Sequence, residues 1–500
     1  MQIREVVSKN ITFIAFAILF ALHLAFLQAD PDCNISRSHG PWTDEGLYSY
    51  QIRNAIAGDG IGLHNSACFV VTPAFGTLLY LPFQLFGTTL PVGRTTVMLL
   101  WLGVLLLTFR PRDTLRITGL LMVPIVFMQY HVFHFSHYCM AEILSVVAIL
   151  AAIAFLFRIF AGDNKNTKNH ICAAAFLAFS CMLKIQFLYI LPLAIVFTIL
   201  WLITTRIRKE NDIQPILRSF LIHLCILAVP VLLYLMFWYI PTKEFYDHVI
   251  GKLVEGSFLE ISQLNLAGIL LDIWGRFQLN VLNAGEFTLI AVAFFVALVA
   301  GFRRVFSRTS SRNFRLLFLL TFSWVILESH KMTLTYLPSR YLMPFYFSMG
   351  MLVALVIGEY IQLFRSNAKH KLKYAMYLFV AAVFVFNFAN LIASFNRRTY
   401  SIRAASGYFQ QVDFGNRPLM GAWAPGLSWG SNIVSYPIWK DDFNDKRVIE
   451  TFNPKAIITE PGEGDSNGAF QSAEVDLRDY SDSVVQRRIG HWDVLIFWLK

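Results

Sequence analysis

Residues 142–158 read Glu-Ile-Leu-Ser-Val-Val-Ala-Ile-Leu-Ala-Ala-Ile-Ala-Phe-Leu-Phe-Arg, an apolar run with an acid at one end and a base at the other. A helix of about 17 to 22 apolar residues, rising 1.5 Å per residue, crosses a hydrocarbon core of about 30 Å. Runs of this kind recur along a chain of 500 residues, of which 56% are hydrophobic and 15% are charged. A soluble domain carries about a quarter charged residues. The sequence therefore predicts a polytopic integral membrane protein.

The positive charge of the chain indicates how it is oriented. The net charge of +10 does not point to nucleic acid, because lysine and arginine lie mainly in short loops between apolar runs, as in cytoplasmic loops. The first run, Ile11–Gln28, follows Arg4 and Lys9 and lacks a small-residue cleavage site, which favours an uncleaved first span with a cytoplasmic N-terminus. An eleven-span arrangement then leaves the strongly basic loops inside and the C-terminus outside. The predicted spans are 11–28, 95–109, 117–130, 142–158, 171–183, 185–204, 220–239, 287–302, 316–327, 341–363 and 374–395.

Two segments outside these spans have predicted structure of their own. In the first external loop, residues 30–90, the apolar stretch Pro73–Phe86 is too short to span and is predicted to lie along the membrane surface. The polar segment 396–500 contains short β-like runs bounded by turn formers. The predicted fold is an all-α membrane bundle of about eleven helices over residues 1–395, followed by a small extracytoplasmic α/β domain over 396–500. The predicted strands are Pro418–Trp423, Ala456–Thr459 and Trp492–Trp498, with a short helix at Arg447–Phe452.

Three acids at external ends are candidates for chemistry. Asp44 and Glu45 follow a possible cap, Thr43, so they either stabilise a helix N-terminus or supply a general base or metal ligand. Glu142 opens a predicted span, where an acid is either a dipole partner or part of a site. These three residues are the candidate catalytic residues.

A histidine-rich stretch precedes Glu142. His131, His134 and His137 do not have the spacing of a standard zinc motif such as His-Glu-x-x-His. They are either interfacial histidines bonded to lipid or loop carbonyls, or part of an acceptor or metal region. His134 and His137 are the candidates for that region.

Two cations lie on the side that the positive-inside rule depletes. Lys184 interrupts an apolar stretch at an outer turn, and Arg340 with Tyr341 opens a late span. The alternative role is snorkelling to lipid headgroups. Together with the external acids, these residues favour a site for a phosphate-bearing lipid, because Arg offers bidentate phosphate contacts and Lys a point charge.

The arrangement resembles the GT-C glycosyltransferases that use polyprenyl-phosphate sugars. Within that family it is most similar to the bacterial branch of protein O-mannosyltransferases and lipid A aminoarabinose transferase. Two features depart from the family: Val71-Thr72-Pro73 stands where relatives often have His-Pro-Pro, and Glu142 stands where they usually have Asp. The matching stretches, in chain order, are Asp44-Glu45 with Tyr48, Tyr80–Gly87, Arg94, Glu142 followed by Lys184, and Arg340-Tyr341-Leu342-x-Pro344.

The resemblance implies inverting transfer of a hexosyl or pentosyl group from a polyprenyl-phosphate donor to a glycan, lipid or protein acceptor. Asp44 would be the base, while Lys184, Arg340 and Tyr341 would bind the donor phosphate. A divalent cation, Mg²⁺ or Mn²⁺, is optional. The protein would lie in the plasma or inner membrane with its site outside, and no nucleic acid is expected.

Two other classes of protein are open at the level of sequence. A transporter or flippase for lipid-linked sugars predicts internal repeats and charges near the bilayer midplane. The sequence has no evident repeat, and its notable charges cluster at one face. A structural subunit that only presents the C-terminal domain would leave Asp44, Lys184 and Arg340 unexplained.

Cys33 and Cys68 share the first external loop. An oxidising compartment would allow a bridge between them beside Asp44, provided that their Cα atoms come within about 7 Å.

Overall fold

The computed structural model of the protein describes residues 2–35, 39–60, 72–109, 115–162, 167–210, 213–244, 247, 266–282, 285–334, 337–364, 371–441 and 444–500. Helices dominate these segments. They are α1 (Gln2–Leu24), α2 (Gly40–Ile56), α3 (Pro73–Phe86), α4 (Leu90–Thr108), α5 (Leu115–Met122), α6 (Tyr130–His137), α7 (Ala141–Ala161), α8 (Thr167–Leu183), α9 (Leu193–Arg208), α10 (Gln214–Tyr234), α11 (Leu266–Phe277), α12 (Thr288–Phe306), α13 (Arg312–Ser329), α14 (Ser339–Leu363), α15 (Lys371–Asn396), α16 (Ser401–Phe409), α17 (Ala424–Leu427), α18 (Val448–Phe452), α19 (Ser466–Ser472) and α20 (Leu477–Tyr480).

The apolar helices confirm a membrane protein. Within the described segments, seven helices are long and apolar enough to cross a bilayer, or eight if one bent pair is a single span. The seven coincide with predicted spans, beginning with Leu90–Thr108 and ending with Lys371–Phe409. The other four predicted spans also contain helices: α1, the bent pair, α8 and α13. The total of eleven stays a prediction.

Two helices form the centre of the bundle. Most residues of the apolar windows of α7 and α14 are buried, 89% and 94%, whereas Gln214–Glu244 buries 11% of its window. Since α7 and α10 are both apolar on all sides, the difference in burial reflects their positions in the bundle and not their hydropathy. The residues that open α7 and α14, Glu142 and Arg340, therefore lie at one end of the buried centre of the bundle.

A sharp bend carries the chain across one end of the bundle. The helices Arg116–Phe127 and Tyr130–His137 meet at 95°. Pro124 lies in the π-helical turn before the bend, where its missing N–H weakens the helix. Gln129 then caps α6 by accepting a hydrogen bond from the Val132 amide at 3.0 Å. The bend turns α6 across the bundle and delivers residues 138–140 to the start of α7.

The C-terminal residues form a mixed five-stranded sheet with short helices. The strand order is β2-β1-β3-β5-β4, in which β1 (Leu419–Met420) is parallel to β2 (Ser435–Tyr436) and β3 (Ala456–Thr459), and β5 (Trp492–Leu499) is antiparallel to β3 and to β4 (Ser481–Ile489). The predicted runs at Ala456 and Trp492 are strands, and Val448–Phe452 is a helix as expected. Strand β4 was missed in the sequence because most of its side chains are exposed and polar.

Candidate active site

Four charged residues that the sequence analysis singled out meet at one end of the bundle. Asp44 lies in the first turns of α2, Glu142 opens α7, Arg340 opens α14, and Lys184 lies between α8 and a 3₁₀ turn. All four are buried, with between 2% and 9% of each residue exposed. Buried charges of this kind are costly unless they are paired or have a function.

The four charges form a continuous ionic network. Arg340 Nη1 lies 2.9 Å from Asp44 Oδ2, and Arg340 Nε lies 3.8 Å from Glu142 Oε1. Lys184 Nζ donates to the same Glu142 oxygen, and it also donates to the Tyr48 hydroxyl at 2.8 Å. Each acid is therefore paired with a cation, and Glu142 lies between Lys184 and Arg340.

Tyr341 lies between the two cations. Its ring centre is 4.8 Å from Lys184 Nζ and 5.1 Å from the Arg340 guanidinium carbon, both within cation–π range. The aromatic face limits the rotamers of both side chains. Tyr341 therefore holds two cations close together despite their like charge.

The network leaves some hydrogen-bonding capacity unused. Among the described residues, neither Arg340 Nε nor Glu142 Oε2 has a hydrogen-bond partner, although both atoms are buried. A buried polar atom without a partner costs about 1–3 kcal/mol. With Asp44 Oδ2, which pairs with Arg340 without a hydrogen bond, the network has one donor and two acceptors available to a polar ligand.

The environment of Asp44 favours a base. Burial raises the pKa of its carboxyl group, and the neighbouring Arg340 guanidinium opposes that shift. A carboxylate whose pKa moves toward neutrality is a stronger proton acceptor than a solvated one, yet the pairing with Arg340 favours its ionised form.

Glu45, although adjacent to Asp44, faces a different partner. Both of its oxygens are bound by Arg94, at 2.8 Å from Nε and 2.5 Å from Nη2, and the Cys139 amide donates to it at 2.5 Å. Arg94 also donates to the carbonyls of Phe26 and Ala29. With these bonds, Glu45 ties α2 to α4 and to the segment before α7, an arrangement typical of a structural role.

A second buried ion pair adjoins the network and was missed in the sequence. Glu328, at the end of α13, lies 2.6 Å from Lys331 Nζ and accepts hydrogen bonds from Tyr189 and Trp324. Lys331 in turn donates to the Tyr341 carbonyl at 2.8 Å. An acid and a base three residues apart at the end of an apolar span were the available signal.

His134 and His137 lie away from the ionic network. His134 Nε2 is 3.1 Å from the Ser394 hydroxyl, which donates to Asp32 at 2.9 Å, and His137 Nδ1 is 3.2 Å from His23 Nδ1. The two rings therefore contact the last apolar helix and the first one. No contact of either with Asp44 or Glu142 is present in the described part of the chain.

A divalent cation stays a prediction for this site. Across the described segments, no group of three or more His, Cys, Asp and Glu side chains could hold a metal ion. The two acids of the network, Asp44 and Glu142, already face Arg340 and Lys184.

The proposed disulfide is not tested. Cys33 is half-buried, but Cys68 lies outside the described residues. The bridge therefore stays a prediction.

Comparison with solved structures identifies the architecture. A crystal structure of ArnT from Cupriavidus metallidurans bound to undecaprenyl phosphate superposes with a TM-score of 0.63 over 97% of each chain, at 12% sequence identity. The apo structure of the same protein gives a TM-score of 0.59, also over 97% of each chain, at 14% identity. The chain has the fold of ArnT. No protein-family model matches the sequence, and no curated protein is similar to it in sequence.

The ArnT fold confirms the resemblance drawn from the short motifs. ArnT is a lipid A aminoarabinose transferase of the GT-C architecture, and the shared fold extends over both the apolar helices and the C-terminal sheet. At 12–14% identity the likeness establishes the fold alone. The roles of individual residues depend on the geometry given above.

Proposed function

We propose that the protein is a membrane-embedded glycosyltransferase that takes a sugar from a polyprenyl-phosphate donor. The observation that carries the proposal is the network of Asp44, Glu142, Lys184 and Arg340, buried at one end of an ArnT-like bundle. It combines a basic carboxylate with cations suited to a phosphate leaving group. A purely structural network would not require unused donors and acceptors.

In the proposed reaction, an acceptor hydroxyl or amine attacks the anomeric carbon directly. Asp44 accepts the proton of the attacking group as the new bond forms. The bond between the anomeric carbon and the phosphate oxygen breaks, and its electron pair leaves with the polyprenyl phosphate. A single displacement of this kind inverts the anomeric centre.

The cations of the site would stabilise the leaving group. Negative charge grows on the phosphate oxygen in the transition state, and preorganised donors in a buried site stabilise it strongly. In the described structure, Arg340 Nε makes no hydrogen bond. Lys184 lies beside the Tyr341 ring that Arg340 also contacts. Phosphate binding would draw both cations away from the acids, which increases the basicity of Asp44 at the moment of reaction.

Glu142 has the role of an orienting acceptor in this scheme. Its Oε1 atom holds Lys184, while Oε2 is free to accept a hydrogen bond from the sugar or the attacking group. Glu45, bound on both oxygens by Arg94, would act only by fixing α2.

The proposed topology rests on the basic loops of the sequence, which are expected on the cytoplasmic side. We place the N-terminus in the cytoplasm and the C-terminal sheet outside, so that the network opens toward the outer leaflet of the plasma or inner membrane. Lipid-linked donors displayed there would diffuse laterally into the site. The acceptor would be a glycan, lipid or protein on the same side.

Donor consumption separates an enzyme from a transporter. The full chain, reconstituted in liposomes, is given a radiolabelled undecaprenyl-phosphate sugar and an extract of envelope glycolipids as acceptor. We expect label to leave the donor and free undecaprenyl phosphate to accumulate. Movement of intact donor between leaflets without consumption would contradict the proposal and favour a flippase.

A further inference from the structure

A cavity separate from the ionic network opens beside the ends of three apolar helices. It has a volume of about 360 Å³, which is within the range of small-molecule sites. Its lining comes from the end of the first apolar helix, the start of α4, the helix α16 and the loop after α17. None of the residues in the ionic network lines it. Those that the argument uses are Gln28, Thr89, Pro91, Arg403, Ser406 and Trp429.

The lining of the cavity combines one positive charge with apolar walls. Arg403 is the only charged residue among those that line the cavity, and no acid faces it there. Arg403 is exposed at this cavity, and its guanidinium donates a hydrogen bond to the Gln28 side chain. The other walls include apolar surface from Leu90, Pro91 and Trp429. Such a cavity suits an anionic group attached to an apolar body.

A buried hydroxyl in the cavity wall lacks a partner. The Ser406 residue is 5% exposed, and in the described part of the protein its hydroxyl makes no hydrogen bond. Leaving a buried hydroxyl without a partner is destabilising. A ligand that accepts this hydrogen bond would remove that cost.

The cavity lies at the level expected for lipid headgroups. Thr89 and Pro91 begin an apolar helix that is long enough to cross the bilayer, and α16 directly follows another. Just before Thr89, the surface helix α3 exposes Leu81, Leu85 and Phe86, by 61%, 64% and 73%. Large apolar side chains exposed at the end of a bundle are stable when they enter the bilayer.

From these observations, we propose that this cavity is a binding site for the phosphate headgroup of an anionic membrane lipid. Arg403 would form the charged contact, and Ser406 would donate to a headgroup oxygen. The acyl chains would lie along the exposed apolar side of α3 and the start of α4. The proposal stands on residues that the transfer reaction does not use, so it survives or fails independently of the proposed function.

Lipid retention tests the site. The delipidated full chain in detergent is incubated with equimolar phosphatidylglycerol and phosphatidylcholine of the same acyl composition, and native mass spectrometry measures what is bound. We expect preferential retention of phosphatidylglycerol. Arg403→Gln should lower that affinity about tenfold, the loss expected for a charge-assisted hydrogen bond. Ser406→Leu should abolish retention by filling the cavity.

Matched controls make the result decisive. Arg488→Gln removes an exposed arginine of β4 that does not line the cavity, and it should leave retention unchanged. Thermal melting verifies that each variant is folded, and Arg403→Gln carries the test if Ser406→Leu does not fold. Retention without headgroup preference, or unchanged by Arg403→Gln, would overturn the proposal. Equal displacement of phosphatidylglycerol by sn-glycerol 3-phosphate would also overturn it, since the site would then bind a free phosphate ester.

Discussion

At the scale of single residues, the site depends on cations that are paired in the resting protein and available to a donor. Arg340 contacts Asp44 with one nitrogen, while its Nε lies 3.8 Å from Glu142 Oε1 and makes no hydrogen bond in the described structure. Lys184 is shared between Glu142 and Tyr48. We therefore expect donor binding to respond differently when the geometry of the Arg340 cation is changed and when the cation is removed.

Arg340→Ala should weaken donor binding and turnover together, because the proposed mechanism has the guanidinium contact the phosphate in both the ground state and the transition state. Charge-assisted hydrogen bonds contribute about 1.5–3 kcal/mol, which predicts roughly a 10- to 100-fold loss in donor affinity. Arg340→Lys should restore only part of it, since a point charge does not reproduce a planar fork. Donor titrations of the three proteins measure this. Full rescue by lysine would show that only the charge matters.

Glu328 and Lys331 provide a test that separates stability from transfer. Lys331→Met leaves Glu328 buried without its cation, which should cost about 3–5 kcal/mol of stability. Adding Glu328→Gln should recover much of that stability. It should not recover turnover, because the hydrogen bond from Lys331 to the Tyr341 carbonyl stays lost. Melting temperature and transfer rate are measured for both variants, and joint recovery of the two would assign the pair to folding alone.

At the scale of elements, the position of Asp44 depends on how α2 is held. The C-terminal domain contacts this helix along its length. Arg53 donates to the Pro425 carbonyl at 2.5 Å, and Asn54 exchanges two hydrogen bonds with the Ser435 backbone, at 3.0 and 3.1 Å. The sheet domain therefore positions the proposed base without contributing a residue to the site.

Gly46→Ala should loosen this contact. A Cβ atom at position 46 would lie 2.3 Å from the backbone nitrogen of Gly426, closer than real Cβ contacts allow. We expect faster hydrogen exchange in residues 40–56 and a lower turnover, with donor affinity nearly unchanged. Gly103→Ala is the matched control, because that helical glycine has no atom within 4 Å of its Cβ direction. Similar behaviour of the two variants would mean that α2 is not clamped by the domain.

The same contact should depend on pH through His39. Hydrogen bonds to Asp465 and Glu460 overcome the opposing effect of burial and raise the pKa of His39 from 6.5 to about 9. The folded protein therefore binds the proton more tightly than the unfolded chain. The stabilisation, of the order of 3 kcal/mol, is complete below about pH 6.5 and is lost as the pH rises to about 9. Melting temperatures across this window should fall less steeply for His39→Gln, and parallel curves would exclude His39.

At the scale of the whole molecule, the sequence was informative where a residue type is rare at its predicted position. Lys184 and Arg340 stood out because cations are rare at external ends of spans, and the structure brings both to Glu142. The family resemblance named Asp44 as the base, but the residue types alone did not separate it from Glu45, since only the fold supplies Arg94 to Glu45. Glu328 was missed because pairing with Lys331 depends on how the chain turns after α13.

The helices and strands differ in the same way in how far the sequence alone predicts them. Apolar runs predicted the long helices because length and hydropathy decide them locally. The polar strand β4 pairs with β5 along its whole length, yet its sequence lacks an apolar alternation. Its conformation depends on a partner strand, which no local pattern reveals.

The central claim is that Asp44 is the base of a transfer reaction. General base catalysis contributes about 10²- to 10⁴-fold, so Asp44→Asn should lower the transfer rate at saturating donor by that factor. Donor affinity and melting temperature should stay close to those of the unmodified protein. Glu45→Gln is the adjacent comparison, and its effect should be smaller and should appear mainly as reduced stability.

The measurement is the single-turnover rate of label transfer from undecaprenyl-phosphate sugar by these proteins in liposomes. The account predicts a selective loss of at least about 100-fold for Asp44→Asn, with donor still bound. A well-folded Asp44→Asn protein that transfers sugar at the unmodified rate would contradict it.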